Sequence, residues 1–245
     1  MRNLILILLL FFNCSAFGQQ AFYNVLLSNT TDEFTVFLSH FDGANGSTTI
    51  TDETGKSITA YGTAQLSTAR KEFGTASLLL DGNSDYIDTP DSDDFYFNTN
   101  DFCIETWIYT TTLGSSQKIF NQESSSPVTF IDAFYSSSVG LRWDIYNAGS
   151  ALVGISEGTT ALTANTWHHV AFVRYGNKFS IYLDGVDVAN VTTSVTVPNV
   201  SSDIRIGKAR LSSQYWNGNF DEYRISNGSA RYTGNFTPPT SPFNY

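Results

Sequence analysis

The amino-acid sequence predicts an all-β protein folded as two packed sheets or a barrel. Apolar residues recur with period two in many short segments, and Gly, Asn, Asp and Pro bound those segments. No window shows a start cap followed by a sustained 3.6-residue apolar period. About 200 residues arranged in strands must fold into packed layers, because a single sheet would leave one apolar face in water. Aromatic residues, 15% of the chain, supply the filling.

In chain order, Arg2 and the apolar run Leu4 to Phe12 precede small residues at Ala16 and Gly18. This predicts a secretory signal peptide over residues 1–18. The run is too short for a membrane span, which needs roughly 20 apolar residues. Residues 19–34 read as an N-terminal extension or edge strand, and its "FYNVLL" stretch is an arm able to add to a neighbour's sheet. In "TVFLSHF", Val36, Leu38 and His40 alternate with Phe37, Ser39 and Phe41. Further strands are predicted at "ASLLLDG", "FCIETWIY", "GLRWDIY", "WHHVAFVRY", "FSIYLDG", "DIRIGKA" and "FDEYRIS". A hairpin turns at Tyr175-Gly176-Asn177-Lys178, where Gly and Asn accept the positive φ of a tight turn. Between Gly114 and Pro127 the composition shifts to Ser, Gln and Asn and reads as a surface loop.

The net charge of −10 argues against nucleic acid, whose phosphates are met by Lys and Arg, and suits a protein that stays dissolved outside the cell. Beyond the predicted signal peptide only Cys103 remains, so no intramolecular disulfide is expected there, and Cys103 reads as a small buried strand residue.

The order of the segments "LSHFDGANGSTTITDETG", "FGTASLLLDGNSDYIDTPDSDDF", "DFCIETWIY", "NTWHHVAFVRYGNKFSIYLDGV" and "IRIGKA" with "WNGNFDEYRISNGSARYTGNFTPP" resembles the laminin G-like, concanavalin A-like lectin/glucanase domains. The resemblance spans residues 35–243 and implies an antiparallel jelly-roll β-sandwich over 35–245, with the first strand beside the last and a tail packed along the outside. It further implies a secreted recognition domain for a polysaccharide or glycoprotein, often with Ca2+. A structural or adhesive subunit that meets protein partners through the N-terminal extension is the second reading.

The residues place candidates on this frame. Asp221 and Glu222 are strand neighbours, expected on opposite faces and therefore unable to act together. No E-x-D-x-E strand, which spaces acids onto one face, occurs, so no enzyme is predicted. If first and last strands are neighbours, Asp42 and Asp221 are candidate ligands for a structural Ca2+. The alternative has Asp42 capping a turn and Asp221 accepting backbone hydrogen bonds. Where pentraxin relatives carry an acidic calcium cluster after "IRIG", this chain has Lys208, Ala209 and Arg210, and two cations oppose a calcium pair. The patch Asp88, Asp91, Asp93 and Asp94 reads as solvated turn carboxylates, and His168 and His169 as scaffold. Trp107 and Trp167 read as packing residues. Trp143 and Trp216, with Tyr146 and Tyr215, are candidates for stacking on sugar rings, although Trp143 alternates with Leu141 and Ile145 as a core residue does. Arg142, Asp144 and Tyr146 then form a polar face for hydroxyl recognition.

Overall fold

The computed structural model describes residues 32–126, 128–158 and 162–245. The expected signal peptide and the extension as far as residue 31 lie outside the described residues. Strands β1 (Thr35–Ser39), β2 (Thr59–Tyr61), β3 (Gln65–Ser67), β4 (Ser77–Asp81) and β5 (Tyr86–Thr89) precede a single 3-10 turn, Asp93–Phe95. Then follow β6 (Phe102–Thr110), β7 (Gln117–Ser125), β8 (Val128–Ser136), β9 (Gly140–Asn147) and β10 (Ser150–Ser156). The chain finishes with β11 (Trp167–Tyr175), β12 (Lys178–Leu183), β13 (Val186–Thr192), β14 (Ile204–Ile206) and β15 (Asn217–Asn227).

These strands form two antiparallel sheets. One has eight strands in the order β13-β12-β11-β6-β15-β4-β3, with β1 joined to β15. The other has seven, in the order β10-β9-β8-β7-β14-β5-β2. The jelly-roll sandwich and the pairing of first with last strand are therefore present, Leu38 lying opposite Arg224. The core between the sheets is built from alternate strand positions: Phe37 on β1, Ile104 and Ile108 on β6, Phe172 on β11, and Phe220, Tyr223 and Ile225 on β15. Trp143 enters it from β9, with edge contacts to Phe102 at 5.6 Å and Phe179 at 5.4 Å.

The span expected as a loop after Gly114 instead contains β7, a strand buried over most of its length. Its composition misleads because its polar residues are buried and hydrogen-bonded: Gln122 Nε2 donates to the carbonyls of Val200 at 2.9 Å and Ser202 at 3.0 Å. The hairpin at Tyr175 to Lys178 joins β11 and β12 as expected.

Candidate functional site

The two outer sheet faces differ. On the eight-stranded sheet, Leu38, Trp107, Cys103, Ala171, Val173 and Tyr182 point away from the core, and residues 230–243 lie over them. Tyr232 and Phe236 stack with centroids 3.5 Å apart above Tyr182, and Phe243 packs with Leu38 and Trp107. Beneath this tail the buried Glu105 accepts from Arg224 Nη2 at 2.7 Å, Arg224 Nε at 2.8 Å and Tyr232 Oη at 2.7 Å, with His169 Nε2 at 3.2 Å. Burial alone raises a carboxyl pKa. Here the Arg224 charge and the bonds from His169 and Tyr232 outweigh it and hold Glu105 at about 2.

Asp221 and Glu222 depart from the expected alternation. A bulge between Asp221 and Arg224, with Glu222 at φ +48°, inserts an extra residue into β15. Both carboxylates reach the tail-covered side, each to its own partners. Asp221 Oδ2 accepts from the N–H groups of Glu72 at 2.7 Å and Phe73 at 3.1 Å. Glu222 pairs with His40 Nδ1 at 2.8 Å and accepts from Phe243 N at 2.8 Å. The two acids thus fasten a loop and the C-terminal tail to the sheet. Burial pushes Asp221 up to about 7 against the hydrogen bonds that favour its ionised form, while the bond to Glu222 raises His40.

Asp42 likewise accepts from Thr75 N, Thr75 Oγ1 and Ala76 N. Calcium seeks six to eight oxygens, whereas Asp42 and Asp221 face backbone N–H donors. Among the described residues no group of three or more His, Cys, Asp or Glu is placed to hold a metal. The donor set therefore does not fit the structural Ca2+ expected at Asp42 and Asp221. His168 bridges Asp184 at 2.7 Å and Thr163 at 2.8 Å.

Among the described residues no such tail lies over the outer face of the seven-stranded sheet, which holds the candidate site. Register aligns Asp88 with Arg205, Arg205 with Asn121, Asn121 with Asp132, Asp132 with Asp144 and Asp144 with Gly154, a polar row across six strands. Arg205 grips Asp88 with Nε at 3.0 Å and Nη2 at 3.2 Å. Lys118 pairs with Asp132, its ammonium 3.8 Å from the centroid of Phe134. Arg142 Nε donates to Asp144 Oδ2 at 2.8 Å. Asp144 Oδ1 is buried and has no donor among the described residues. Beside it Gly154 presents only backbone, where a Cβ would stand 3.5 Å away. Burial pushes Asp132 up to about 6, against the charge of Lys118 and with the neighbouring Asp144 adding to the rise. Aromatic rings flank the row: Phe130 stacks on Tyr146 at 4.5 Å, and Tyr61 on Tyr86 at 4.4 Å.

Of the residues expected to meet a ligand, Arg142, Asp144 and Tyr146 share this face, and Tyr215 stands on the β14–β15 connection at its side. Trp143 and Trp216 do not. Both are fully buried, Trp143 in the aromatic core and Trp216 tilted 4.8 Å from Phe220 with its indole N–H on the Tyr109 carbonyl at 3.3 Å. Alternation decides this, since the residue between two outward positions points inward. Asp88 is also not a solvated turn carboxylate but a buried partner of Arg205. Lys118, Asn121, Asp132 and Phe134 belong to the site and escaped the sequence reading. The alternation Phe130, Asp132, Phe134 against Ile131, Ala133, Tyr135 is the signal that marks β8.

Two antiparallel sheets around one aromatic core, one outer face covered by the chain's own tail and the other open with fixed polar groups, define a jelly-roll sandwich of the lectin type. The chain belongs to the concanavalin A-like lectin/glucanases superfamily, whose laminin G family model matches residues 81–231. No curated protein sequence matches it. Among solved structures it is similar to the binding domain of Paraclostridial Mosquitocidal Protein 1, with TM-score 0.65 and 15% identity over 80% of this chain and 49% of that one. It is also similar to domain 4 of AbnA, a GH43 extracellular arabinanase from Geobacillus stearothermophilus in complex with arabinotriose, with TM-score 0.61 and 18% identity over 81% and 95%. A third is the botulinum neurotoxin serotype D binding domain, with TM-score 0.61 and 12% identity over 82% and 50%. The chain spans about half the length of these two toxin domains.

Proposed function

We propose that this chain is a noncatalytic, extracellular carbohydrate-binding domain that presents the outer face of its seven-stranded sheet to a polysaccharide or a glycoprotein glycan. The observation that carries the reading is the contrast between the faces: residues 230–243 lie over one, whereas among the described residues no tail lies over the other, which presents ring pairs and the Arg142–Asp144 pair. The partly exposed Arg142 guanidinium supplies N–H donors for sugar hydroxyls. Aromatic rings supply the apolar surface on which the CH faces of sugars rest.

The carboxylates of the row serve as structural hydrogen-bonding groups rather than as an acid and a nucleophile, because Asp132 and Asp144 are each tied to a cation and buried. The family membership supports binding, as does the shared fold of an arabinanase domain found with arabinotriose. The predicted signal peptide supports an extracellular site of action, and among the described residues no helix is long and apolar enough to cross a membrane.

A glycan array followed by calorimetry tests the reading. The wild-type chain binds at least one glycan class, and Phe134→Ala or Tyr146→Ala weakens that binding. Silence across polysaccharides and glycoproteins overturns it.

A further inference from the structure

The connection from β14 to β15 rises from the sheet before it returns. Lys208 bridges to Tyr215, Ala209 N donates to the Gln214 carbonyl at 3.1 Å, and Trp216 N donates to that of Gly207 at 2.8 Å, so residues 210–213 form the tip. The Arg210 N–H, on Asn121 Oδ1 at 2.8 Å, anchors this tip to the polar row of the open face. Lys208, Arg210, Leu211, Ser212, Ser213 and Tyr215 line a cavity of about 390 Å³ there.

The charges in this cavity differ from those of the sheet beside it. Lys118, Arg142 and Arg205 each hold a carboxylate. Among the described residues, Lys208 and Arg210 form no ion pair, and Lys208 instead lies over the rings of Tyr86 at 4.6 Å and Tyr215 at 5.1 Å. The chain has 23 acidic residues against 13 Lys and Arg, so two cations sharing one concavity are a local feature of this loop rather than of a basic surface. Their mutual repulsion is relieved by an anion, and a concave wall of one charge sign concentrates the opposite sign.

We propose that this pocket takes the anionic group, a carboxylate or a sulfate ester, of a saccharide whose neighbouring sugars lie on the open sheet face. The inference rests on the carbohydrate-binding reading above and names the ligand class of that site. The Arg210 guanidinium matches the paired oxygens of a carboxylate or sulfate. Lys208 adds charge without demanding direction, and the hydroxyls of Ser212, Ser213 and Tyr215 complete the donor set. The anchor through Asn121 makes the pocket continuous with Asp132 and Asp144, so one ligand can span both.

Calorimetry on the full chain tests this, using a sulfated polymer, a uronate polymer, a neutral polymer and inorganic sulfate alone. Wild type is expected to bind one of the acidic polymers at least tenfold more tightly than the neutral one. The K208M/R210Q double variant is expected to lose that preference while keeping its affinity for the neutral polymer, its melting temperature falling by only a few degrees with the lost Lys208 ring contacts. Arg210→Gln alone, an exposed change that leaves the Lys208 ring contacts intact, is expected to lose most of it. An acidic preference that survives the double variant overturns the inference. So does inorganic sulfate binding as tightly as the polymers, which makes the pocket an anion site independent of sugar. Binding to the neutral polymer alone overturns the inference and leaves the carbohydrate reading standing, whereas no binding to any saccharide overturns both.

Discussion

Asp132 and Asp144 face one another directly across β8 and β9, and each is held by its own cation, Lys118 for the first and Arg142 for the second. Like charges in directly opposed cross-strand positions destabilise a sheet, so the two cations are what make this arrangement tenable. The Arg142 side chain is 37% exposed. Because the buried Asp144 would lose its partner, Arg142→Ala is expected to lower stability by about 1–3 kcal/mol while reducing saccharide affinity about fivefold or more, near 1 kcal/mol. Urea melts and calorimetry on the same preparation check both, and an unchanged affinity removes Arg142 from the site.

Stability should peak on the acid side of neutrality. The folded pKa of Glu105 is held at about 2, below its ordinary 4.5, so its contribution is present above about pH 4.5 and is lost as pH falls through 2. Asp132 and Asp221 act in the opposite sense. Their folded values are raised from 3.8 to about 6 and about 7, so their contributions are full below 3.8 and are lost as pH rises through 6 and 7. Melting temperatures measured by circular dichroism between about pH 3 and 9 should show a maximum near pH 4 and fall from there towards pH 7. A plateau reaching pH 8 contradicts the assignment.

Removing one partner of the buried network should be far more damaging than altering the open face. Glu105→Gln leaves the Arg224 charge without its counterion and is expected to cost about 3–5 kcal/mol. Tyr232→Phe removes one donor to Glu105, costs about 1 kcal/mol and moves the acid limb of the stability curve upward in pH.

The strands visible in the sequence are those with one apolar and one polar side or with hairpin chemistry. Residues 178–183 and 167–175 are examples, since a glycine turn joins them and their alternation is strong. β7 was hidden because Gln117, Asn121 and Gln122 are buried with their bonds satisfied, and a polar composition does not distinguish that state from exposure. The site divides in the same way. Arg142 and Asp144 could be read from their parity with Trp143, but Lys118, Asn121 and Asp132 join them only through pairing of β7 with β8. Alternation also fails at Glu222, because a single left-handed residue shifts the count and brings both acids to one side. That conformation is set by contacts with His40 and Phe243, far away in the chain.

Placement of the tail depends on Gly185. Its φ is +79°, and a Cβ there would collide with the carbonyl of Phe236, whose own N–H donates to the Gly185 carbonyl at 2.9 Å. Gly185→Ala is expected to lift residues near Phe236, destabilise the fold by about 1–3 kcal/mol and make the tail more sensitive to limited proteolysis. Identical digestion kinetics contradict this.

Because Asp42 and Asp221 already accept hydrogen bonds, mostly from backbone N–H groups, calcium should not support this fold. Melting temperatures in excess calcium and in EDTA are expected to agree within about 1 °C, since a ligand bound only to the native state raises stability with its concentration. A calcium-dependent rise of several degrees would restore a metal site.

The most direct test of the open-face assignment is a nuclear magnetic resonance titration of the labelled chain with a bound oligosaccharide. Shifted amides are expected to cluster on β8 and β9 around Phe134, Arg142, Asp144 and Tyr146 and to extend to the β14–β15 connection. Shifts confined to the tail-covered sheet, or to the loops at the far ends of the sandwich, contradict it.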